Sequence, residues 1–195
     1  ADGTKGLAQR NRYPGQYIAA YYDFVQANDG ITFSRSGYTG AQTYPAHWAG
    51  DERSTWDAFK RSILAGLSAG MSGIIFWGWD MAGFSGEVPS AELYIRSAQM
   101  AAFCPIMQYH AESKAEFNQD RTPWNIADRS GDPRALALYG FYARLRMALL
   151  PYFTAEAAHC VAARTPLMRP MLLDHPDDQG AISLWDQYRL GRDLL

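Results

Sequence analysis

Cysteine is scarce in this sequence, and long apolar runs are missing. The two cysteines, Cys104 and Cys160, show neither the density of a disulfide framework nor the close spacing of a zinc site, so we expect ordinary buried thiols. No apolar run approaches the roughly 18 residues that cross a bilayer, and the polar start of the chain is not a signal peptide. The sequence argues against a membrane partner and leaves the compartment open, with the cytoplasm as the first expectation.

A strong charge of one sign is also missing. The formal net charge is -2, and the basic residues are scattered singly and in pairs. The chain therefore offers no basic patch to nucleic acid or anionic lipid. It also contains no His/Cys cluster, no glycine loop suited to phosphate and no Ser/His/Asp spacing. We expect no metal, no nucleotide cofactor and no acyl-transfer chemistry.

Aromatic residues are abundant. The 195 residues include six Trp and twelve Tyr, and several of them lie beside carboxylates and glycines. Aromatic faces suit stacking on sugar rings, although most aromatic residues belong to a protein core. With 48% hydrophobic residues, the chain is apolar enough to bury a core of its own.

Helical periodicity alternates with short apolar runs. Apolar spacing predicts helices at about 13–25, at 54–70 with Ser54 as N-cap, at 90–102, and at 133–150 with a kink or restart at Pro151 before a further helix to about 163. Apolar runs predict strands at 31–36 and 73–77 and strand-like segments at 103–109 and 167–173, the last weakened by Pro170. Polar residues predict loops over 111–132 and 174–186.

This alternation predicts an α/β fold built from repeated units around a parallel sheet. Three or four strands with their helices make about half of a (β/α)8 TIM barrel, which typically needs about 250 residues. Half a barrel would leave an open sheet edge and an uncovered core. We therefore expect residues 1–195 to be a fragment of one catalytic barrel domain, with the N-terminal half-barrel absent.

Charged residues follow the apolar runs of the first half of the chain. Asp51 comes directly after His47-Trp48-Ala49-Gly50. A carboxylic acid beside an indole ring is partly desolvated, which favours the protonated form that a proton donor to a leaving group needs. The alternative is an exposed carboxylate near a helix N-terminus. Arg35 could hold a sugar hydroxyl or a carboxylate, or form a structural ion pair. Asp80 could accept from hydroxyls, hold Arg35 or cap its own loop.

Aromatic residues accompany these charges. Four of them could form apolar walls for a pyranose ring or could belong to the core: Trp48, Trp77, Trp79 and Phe84. His110 ends an apolar run and could either hydrogen-bond a sugar hydroxyl or serve as a structural residue.

Six ordered segments carry a family resemblance. They are Phe33-Ser34-Arg35-Ser36, His47-Trp48-Ala49-Gly50-Asp51, the run Phe76-Trp77-Gly78-Trp79-Asp80-Met81-Ala82-Gly83-Phe84, Gln108-Tyr109-His110, Arg121-Thr122-Pro123-Trp124 and Pro166-Leu167-Met168-Arg169-Pro170. Over essentially its whole length the chain resembles glycoside hydrolase family 31, the retaining α-glucosidases and α-xylosidases.

The resemblance implies roles for individual residues and an α-linked oligosaccharide or glycoside as substrate. Asp51 matches the family's general acid/base. The pocket for the sugar at the cleaved bond is lined at positions that match Arg35, Trp48, Phe84 and His110, and Asp80 lies in the motif that borders this pocket. In a retaining mechanism a second carboxylate, about 5–5.5 Å from the acid, attacks the anomeric carbon.

No counterpart of that second carboxylate is recognisable in the sequence. In the family it lies on an earlier strand, so the resemblance implies roughly strands five to eight of the barrel, without the nucleophile and without the flanking β domains. Alone, such a fragment should be inactive. The alternatives are an α-transglycosylase, a noncatalytic carbohydrate-binding homologue or an α/β domain with no site. Oligomeric state and the choice between glucose and xylose stay open.

Overall fold

The computed structural model describes residues 3–112 and 120–195 of the chain. It contains a parallel sheet of three short strands in the order β1-β2-β3, in which β1 is Phe33–Ser34, β2 is Ala46–Ala49 and β3 is Trp77–Trp79. Ser34 pairs with His47, and His47 pairs in turn with Trp77. Because the strands are parallel, the residues that follow them emerge at one edge of the sheet.

Helices precede, connect and follow these strands. The order is α1 at Gly6–Gln9, α2 at Tyr13–Gln26, β1, a short 3-10 turn at Ala41–Thr43, β2, α3 at Trp56–Met71, β3 and α4 at Ala91–Ala102. The helices predicted from periodicity at 13–25, 54–70 and 90–102 are confirmed within one or two residues. The strands are shorter than predicted, and β3 begins at Trp77, where the predicted strand ends, because only these residues pair with β2.

The second half of the chain is mainly helical. It consists of α5 at Pro123–Ser130, α6 at Arg134–Ala163, β4 at Met168–Pro170, α7 at Met171–Asp174, α8 at Gln179–Ser183 and β5 at Tyr188–Leu190. β4 and β5 form an antiparallel pair in which Met168 faces Leu190. Pro170 is compatible with this strand because each strand of a two-stranded pair is an edge strand. Within the described ranges, no helix combines the length and the apolar composition that crossing a bilayer requires.

Two loop predictions need correction. Residues 113–119 of the predicted loop lie outside the described residues, but positions 123–130 of it form α5. The Thr122 hydroxyl accepts from the Asn125 N–H, Pro123 occupies the first turn and Gly131, at φ 65°, ends the helix. A helix of two turns is too short to show a clear apolar period, so its caps carry the signal. Similarly, α8 lies within the predicted loop 174–186.

Pro151 does not restart the helix that contains it. α6 runs as one helix of 30 residues through Pro151, so the predicted division into two helices is wrong. A proline inside a helix removes one backbone hydrogen bond and crowds the preceding turn. Beyond Pro151, the buried side chains of Phe153, Glu156 and Cys160 anchor the following turns, which explains why the helix continues.

The segment 103–109 forms no strand of the parallel sheet, although it runs beside β3. The Ile106 N–H donates to the Trp77 carbonyl at 3.1 Å, and the Met81 N–H donates to the Gln108 carbonyl at 3.2 Å. Two isolated hydrogen bonds hold the segment in place without a continuous ladder. It therefore delivers Gln108 and His110 to the edge of the sheet where Asp80 emerges.

The core lies between the sheet and helices α3 and α4. Trp77 and Trp79 are 4% and 2% exposed, and their rings stack with centroids 5.9 Å apart. A Cβ at Gly66 of α3 would lie 2.6 Å from the Trp77 ring, so the missing side chain permits this close approach. The alternative that both tryptophans belong to the core is confirmed. Cys104 and Cys160 are free and buried, as expected.

The N-cap of α3 is Thr55, not Ser54. The Thr55 hydroxyl accepts from the Ala58 N–H at 3.2 Å, whereas the Ser54 hydroxyl accepts from Arg121. We expect Thr55→Ala to lower the free energy of unfolding by about 1 kcal/mol, because one N–H of the first turn loses its partner. Thermal or denaturant unfolding measures this loss. Thr55→Ser keeps the hydroxyl and is the matched control; equal losses in both variants would contradict the cap assignment.

Candidate active site

Four polar or aromatic side chains meet where the parallel strands end. Arg35 directly follows β1, Trp48 lies in β2, Asp51 follows β2 by two residues and Asp80 directly follows β3. Parallel pairing of His47 with Trp77 and of Ala49 with Trp79 places Asp51 and Asp80 side by side. The structure therefore brings Arg35, Asp51 and Asp80 together at one edge of the sheet.

The turn that carries Asp51 depends on a glycine. A Cβ at Gly50 would lie 1.5 Å from Cζ3 of the Trp48 ring, so any larger residue would displace the indole. Asp51 itself has a φ of 65°, the left-handed conformation that few non-glycine residues adopt and that Asp tolerates better than most. The chain thus folds back over Trp48 before Asp51 and turns sharply at Asp51.

Asp51 forms an ion pair with Arg35 at the rim of the site. The two side chains are about half exposed, at 50% and 51%, and the guanidinium lies 5.9 Å from the centroid of the Trp48 ring. Water screens a pair of this exposure, so it adds little to stability and separates readily. The sequence predicted that the indole of Trp48 would partly desolvate Asp51, but the Asp51 side chain is half exposed. Both charges of the pair are therefore accessible to a ligand.

Asp80 lies in a different environment, because its side chain is fully buried. One carboxylate oxygen, Oδ2, accepts from the Asp51 N–H at 3.1 Å, and Oδ1 accepts from Nε2 of Gln108 at 3.4 Å. Nδ1 of His110 lies 3.8 Å from Oδ1. Burial raises the pKa of Asp80 to about 6, while the Asp51 N–H and His110 act in the opposite direction. Contact between Asp80 and a sugar stays a prediction that this burial does not favour.

His110 and three aromatic rings form one wall. The imidazole centroid lies 4.9 Å from the Phe84 ring and 6.2 Å from the Trp48 ring, and Phe33 continues the wall at 6.0 Å from Trp48. Phe84 and Trp48 are half-buried, and the His110 side chain is 60% exposed. The wall thus combines apolar faces with one accessible hydrogen-bonding ring, which is the composition expected beside a sugar.

The loop after β3 fastens the Asp51 turn from the opposite side. The N–H groups of Phe84 and Ser85 both donate to the Glu52 carbonyl, at 2.8 and 3.0 Å, and the Ser85 hydroxyl donates to the Asp51 carbonyl at 3.2 Å. Gly83, at φ 99°, allows this approach, because a Cβ there would lie 2.7 Å from the Ser54 nitrogen. These contacts join the acid-bearing turn to the loop that carries Phe84.

Sequence reasoning missed three contributors to this site. Gln108 contacts Asp80, Ser85 holds the Asp51 carbonyl, and the buried guanidinium of Arg121 donates to the Ser54 hydroxyl at 3.2 Å and to the Glu87 carbonyl at 3.3 Å. Gln108 and Arg121 stood in the segments that carry the family resemblance, but no local pattern assigned them partners. Among the described residues, no group of three or more His, Cys, Asp or Glu is arranged to hold a metal.

The fold and the site define an α/β protein whose charged and aromatic side chains gather at the carboxyl ends of parallel strands, where (β/α)8 enzymes carry their active sites. The family model described as the TIM-barrel domain of glycosyl hydrolases family 31 matches residues 2–156. The chain belongs to glycoside hydrolase family 31, as the resemblance predicted.

Three relatives illustrate the similarity. The chain is 48% identical over 206 residues to a 1,3-alpha-isomaltosidase of Kribbella flavida and 44% identical over 199 residues to an isomaltosyltransferase of Sporosarcina globispora; both matches cover 100% of the chain. It spans only 28% and 18% of these two proteins. The cycloalternan-degrading enzyme of Trueperella pyogenes in complex with isomaltose superposes with a TM-score of 0.92 at 48% identity, covering 98% of this chain and 28% of that one. A second structure of that enzyme, in complex with a covalent intermediate, superposes equally well, at 0.92.

The close approach at Gly50 generates a prediction. We expect Gly50→Ala to displace the Trp48 indole and lower the free energy of unfolding by about 1–3 kcal/mol, because an added methyl group overfills the turn. Thermal unfolding measures the loss. Gly15→Ala is the control, because a Cβ there meets no atom within 4 Å. Unchanged stability of Gly50→Ala would contradict the close packing of this turn.

The buried carboxyl of Asp80 generates a second prediction. Burial raises the pKa of Asp80 to about 6, above the ordinary value of 3.8. As the pH rises, the unfolded chain therefore releases this proton at a lower pH than the folded protein does. Stability contributed by Asp80 is complete below about pH 4 and is lost as the pH rises through about 6. Asp80→Asn removes this dependence, so the variant gains on the wild type by on the order of 3 kcal/mol between pH 4 and pH 7. Unfolding at both pH values tests it; a constant difference contradicts it.

Proposed function

We propose that this chain is the acid/base half of the catalytic barrel of a retaining α-glycosidase. The observation that carries the proposal is the position of Asp51 just after β2, accessible at the rim and paired with Arg35, whose guanidinium lies 5.9 Å from the Trp48 ring, the neighbour of His110. An accessible carboxylic acid beside an apolar ring and two hydrogen-bonding side chains has the parts needed to protonate a glycosidic oxygen while the sugar is held in place.

The proposed reaction has two steps. Asp51 donates its proton to the glycosidic oxygen, while a second carboxylate attacks the anomeric carbon, so that the sugar–oxygen bond breaks and a glycosyl-enzyme ester forms. Asp51, now ionised, then takes a proton from water as the water oxygen attacks the anomeric carbon, and the ester bond breaks. The covalent intermediate named for the Trueperella pyogenes enzyme supports a mechanism with such an ester.

The second carboxylate is proposed to come from outside this chain. Asp80 lies beside the Asp51 turn, but it is fully buried and accepts hydrogen bonds from protein groups, so it is not free to attack. In the three-stranded sheet β1 occupies an edge, and a cleft of about 680 Å³ opens beside it, lined by Tyr17, Tyr21 and Trp48 among others. We assign the chain to roughly strands five to eight of the barrel and place the nucleophile on an earlier strand of a longer protein.

The proposed substrate is an α-linked glucose oligosaccharide with an isomaltosyl unit at the cleaved bond. The names of the Kribbella flavida and Sporosarcina globispora relatives both refer to this unit, and isomaltose is bound in the Trueperella pyogenes structure. We therefore favour a glucose-containing substrate over a xyloside. The first substrate to test is an oligosaccharide with an α-1,3-linked isomaltosyl unit.

A second candidate function is transfer to a sugar acceptor. At 44% identity, the Sporosarcina globispora relative is a transferase by name. Hydrolysis and transfer share the glycosyl-enzyme and differ in whether water or a sugar hydroxyl attacks it. The residues described above serve both reactions equally, so the choice depends on the acceptor side of the pocket.

Substitution of Asp51 in the full-length protein tests the proposal. We expect Asp51→Asn to lower kcat/KM for the α-1,3-isomaltosyl oligosaccharide by about 10²–10⁴-fold, because the amide cannot donate the proton. Hydrolysis assays measure the loss, and proton NMR of the first product should show the α anomer released by the wild type.

Asp57→Asn is the control, because the exposed side chain of Asp57 on α3 pairs with Arg61 at 2.5 Å. Normal hydrolysis by Asp51→Asn would eliminate the acid/base assignment. A wild-type protein that binds the oligosaccharide but releases neither hydrolysis nor transfer products would be a noncatalytic sugar-binding homologue.

A further inference from the structure

We propose that Asp80 is a positioning residue that aims the carboxyl group of Asp51 by holding its main chain. The inference rests on the proposed function, since it assigns a supporting role for the same reaction. Its first support is geometric: Oδ2 of the fully buried Asp80 accepts the Asp51 N–H at 3.1 Å, across the boundary between β2 and β3.

The main chain at Asp51 needs such support. A residue with a side chain at φ 65° is strained relative to its ordinary conformations. The hydrogen bond from the Asp51 N–H to Asp80 and the one from the Ser85 hydroxyl to the Asp51 carbonyl hold the peptide groups on both sides of this strained φ. Because φ sets the direction of the Cα–Cβ bond, fixing it also fixes where the Asp51 carboxyl points.

The other oxygen of Asp80 reaches the opposite side of the site. Oδ1 accepts from Gln108 at 3.4 Å and lies 3.8 Å from Nδ1 of His110. The charged groups that act on Asp80 are His110, Asp51 and Arg35. One rigid carboxylate therefore contacts both the turn that carries the acid and the segment that carries His110, and it fixes the spacing between proton donor and sugar-binding ring.

The network requires an acceptor at both oxygens. The Asp51 N–H and the Gln108 amide are donors, and the nearby His110 ring nitrogen can donate. Asp80→Asn preserves the shape of the side chain but turns one of the two acceptors into an NH2 donor. That NH2 then faces a donor, so the side chain must rotate or move, and the Asp51 turn loses its fixed direction.

A positioning role and a merely structural role differ in their dependence on the leaving group. Departure of a sugar alcohol needs a proton from Asp51, whereas fluoride departs without one. Misaiming the acid therefore slows hydrolysis of an oligosaccharide and spares hydrolysis of the corresponding glycosyl fluoride. General damage to the pocket slows both substrates alike, since both place the same sugar at the cleaved bond.

The experiment measures kcat/KM of the full-length protein on the α-1,3-isomaltosyl oligosaccharide and on α-isomaltosyl fluoride. We expect Asp80→Asn to lower the value about 10- to 100-fold for the oligosaccharide and less than about threefold for the fluoride. Asp51→Asn should show the same selectivity with a larger loss. Asp57→Asn should leave both values within about twofold of the wild type.

The other outcomes distinguish failure of the positioning role of Asp80 from failure of the proposed function. Equal losses on both substrates, or no loss, overturn the positioning role of Asp80. Selective loss in Asp51→Asn without it in Asp80→Asn overturns only this inference, whereas normal activity of Asp51→Asn overturns the proposed function itself. If Asp80→Asn does not fold, Asp80→Glu, which keeps the charge and lengthens the side chain, must show the selective loss. Failure of both variants to fold also overturns the inference, because Asp80 is then required for the fold.

Discussion

A buried carboxylate that accepts the main-chain N–H of its neighbour organises this site. Asp80 is fully buried, yet it emerges from β3, the strand next to β2, beside the turn that follows β2. Burial makes the ionised form of Asp80 costly. The main-chain N–H of Asp51 and the side-chain amide of Gln108 offset part of that cost, because both donate hydrogen bonds to the carboxylate. One buried group thus contacts both the Asp51 turn and the segment that carries Gln108 and His110.

Glycines at close contacts determine how the rings can be arranged around that group. Gly50 leaves room for the Trp48 indole beneath the Asp51 turn, Gly66 lets α3 approach Trp77, and Gly83 lets the loop after β3 reach the Ser54 nitrogen. At each of these three glycines, an added Cβ would lie closer to its neighbour than real Cβ contacts allow. The site is therefore held by backbone approach as much as by side-chain pairing, and the exposed Arg35–Asp51 pair contributes accessibility more than stability.

The two carboxylates of the site illustrate how position decides chemistry. Asp51 is half exposed beside an arginine, which suits a group that must meet substrate and exchange protons with it. Asp80 is buried among donors, which suits a group that holds others. Both are aspartates after short apolar segments in the sequence, and only their solvent exposure separates a candidate catalytic acid from a candidate positioning residue.

The sequence by itself determined the α/β class, the helices α2, α3 and α4, and the family, because these follow from local periodicity and ordered motifs. The limits of prediction were also local: α5 is too short for a period, adjacent Ser54 and Thr55 are equally good caps in isolation, and Pro151 breaks a helix only where packing does not oppose it. Only the tertiary structure decided that Asp80 is buried, that Gln108 and Ser85 support the site and that Trp77 and Trp79 belong to the core. These properties depend on which residues from distant segments exclude water from one another, and no short stretch of sequence contains that information.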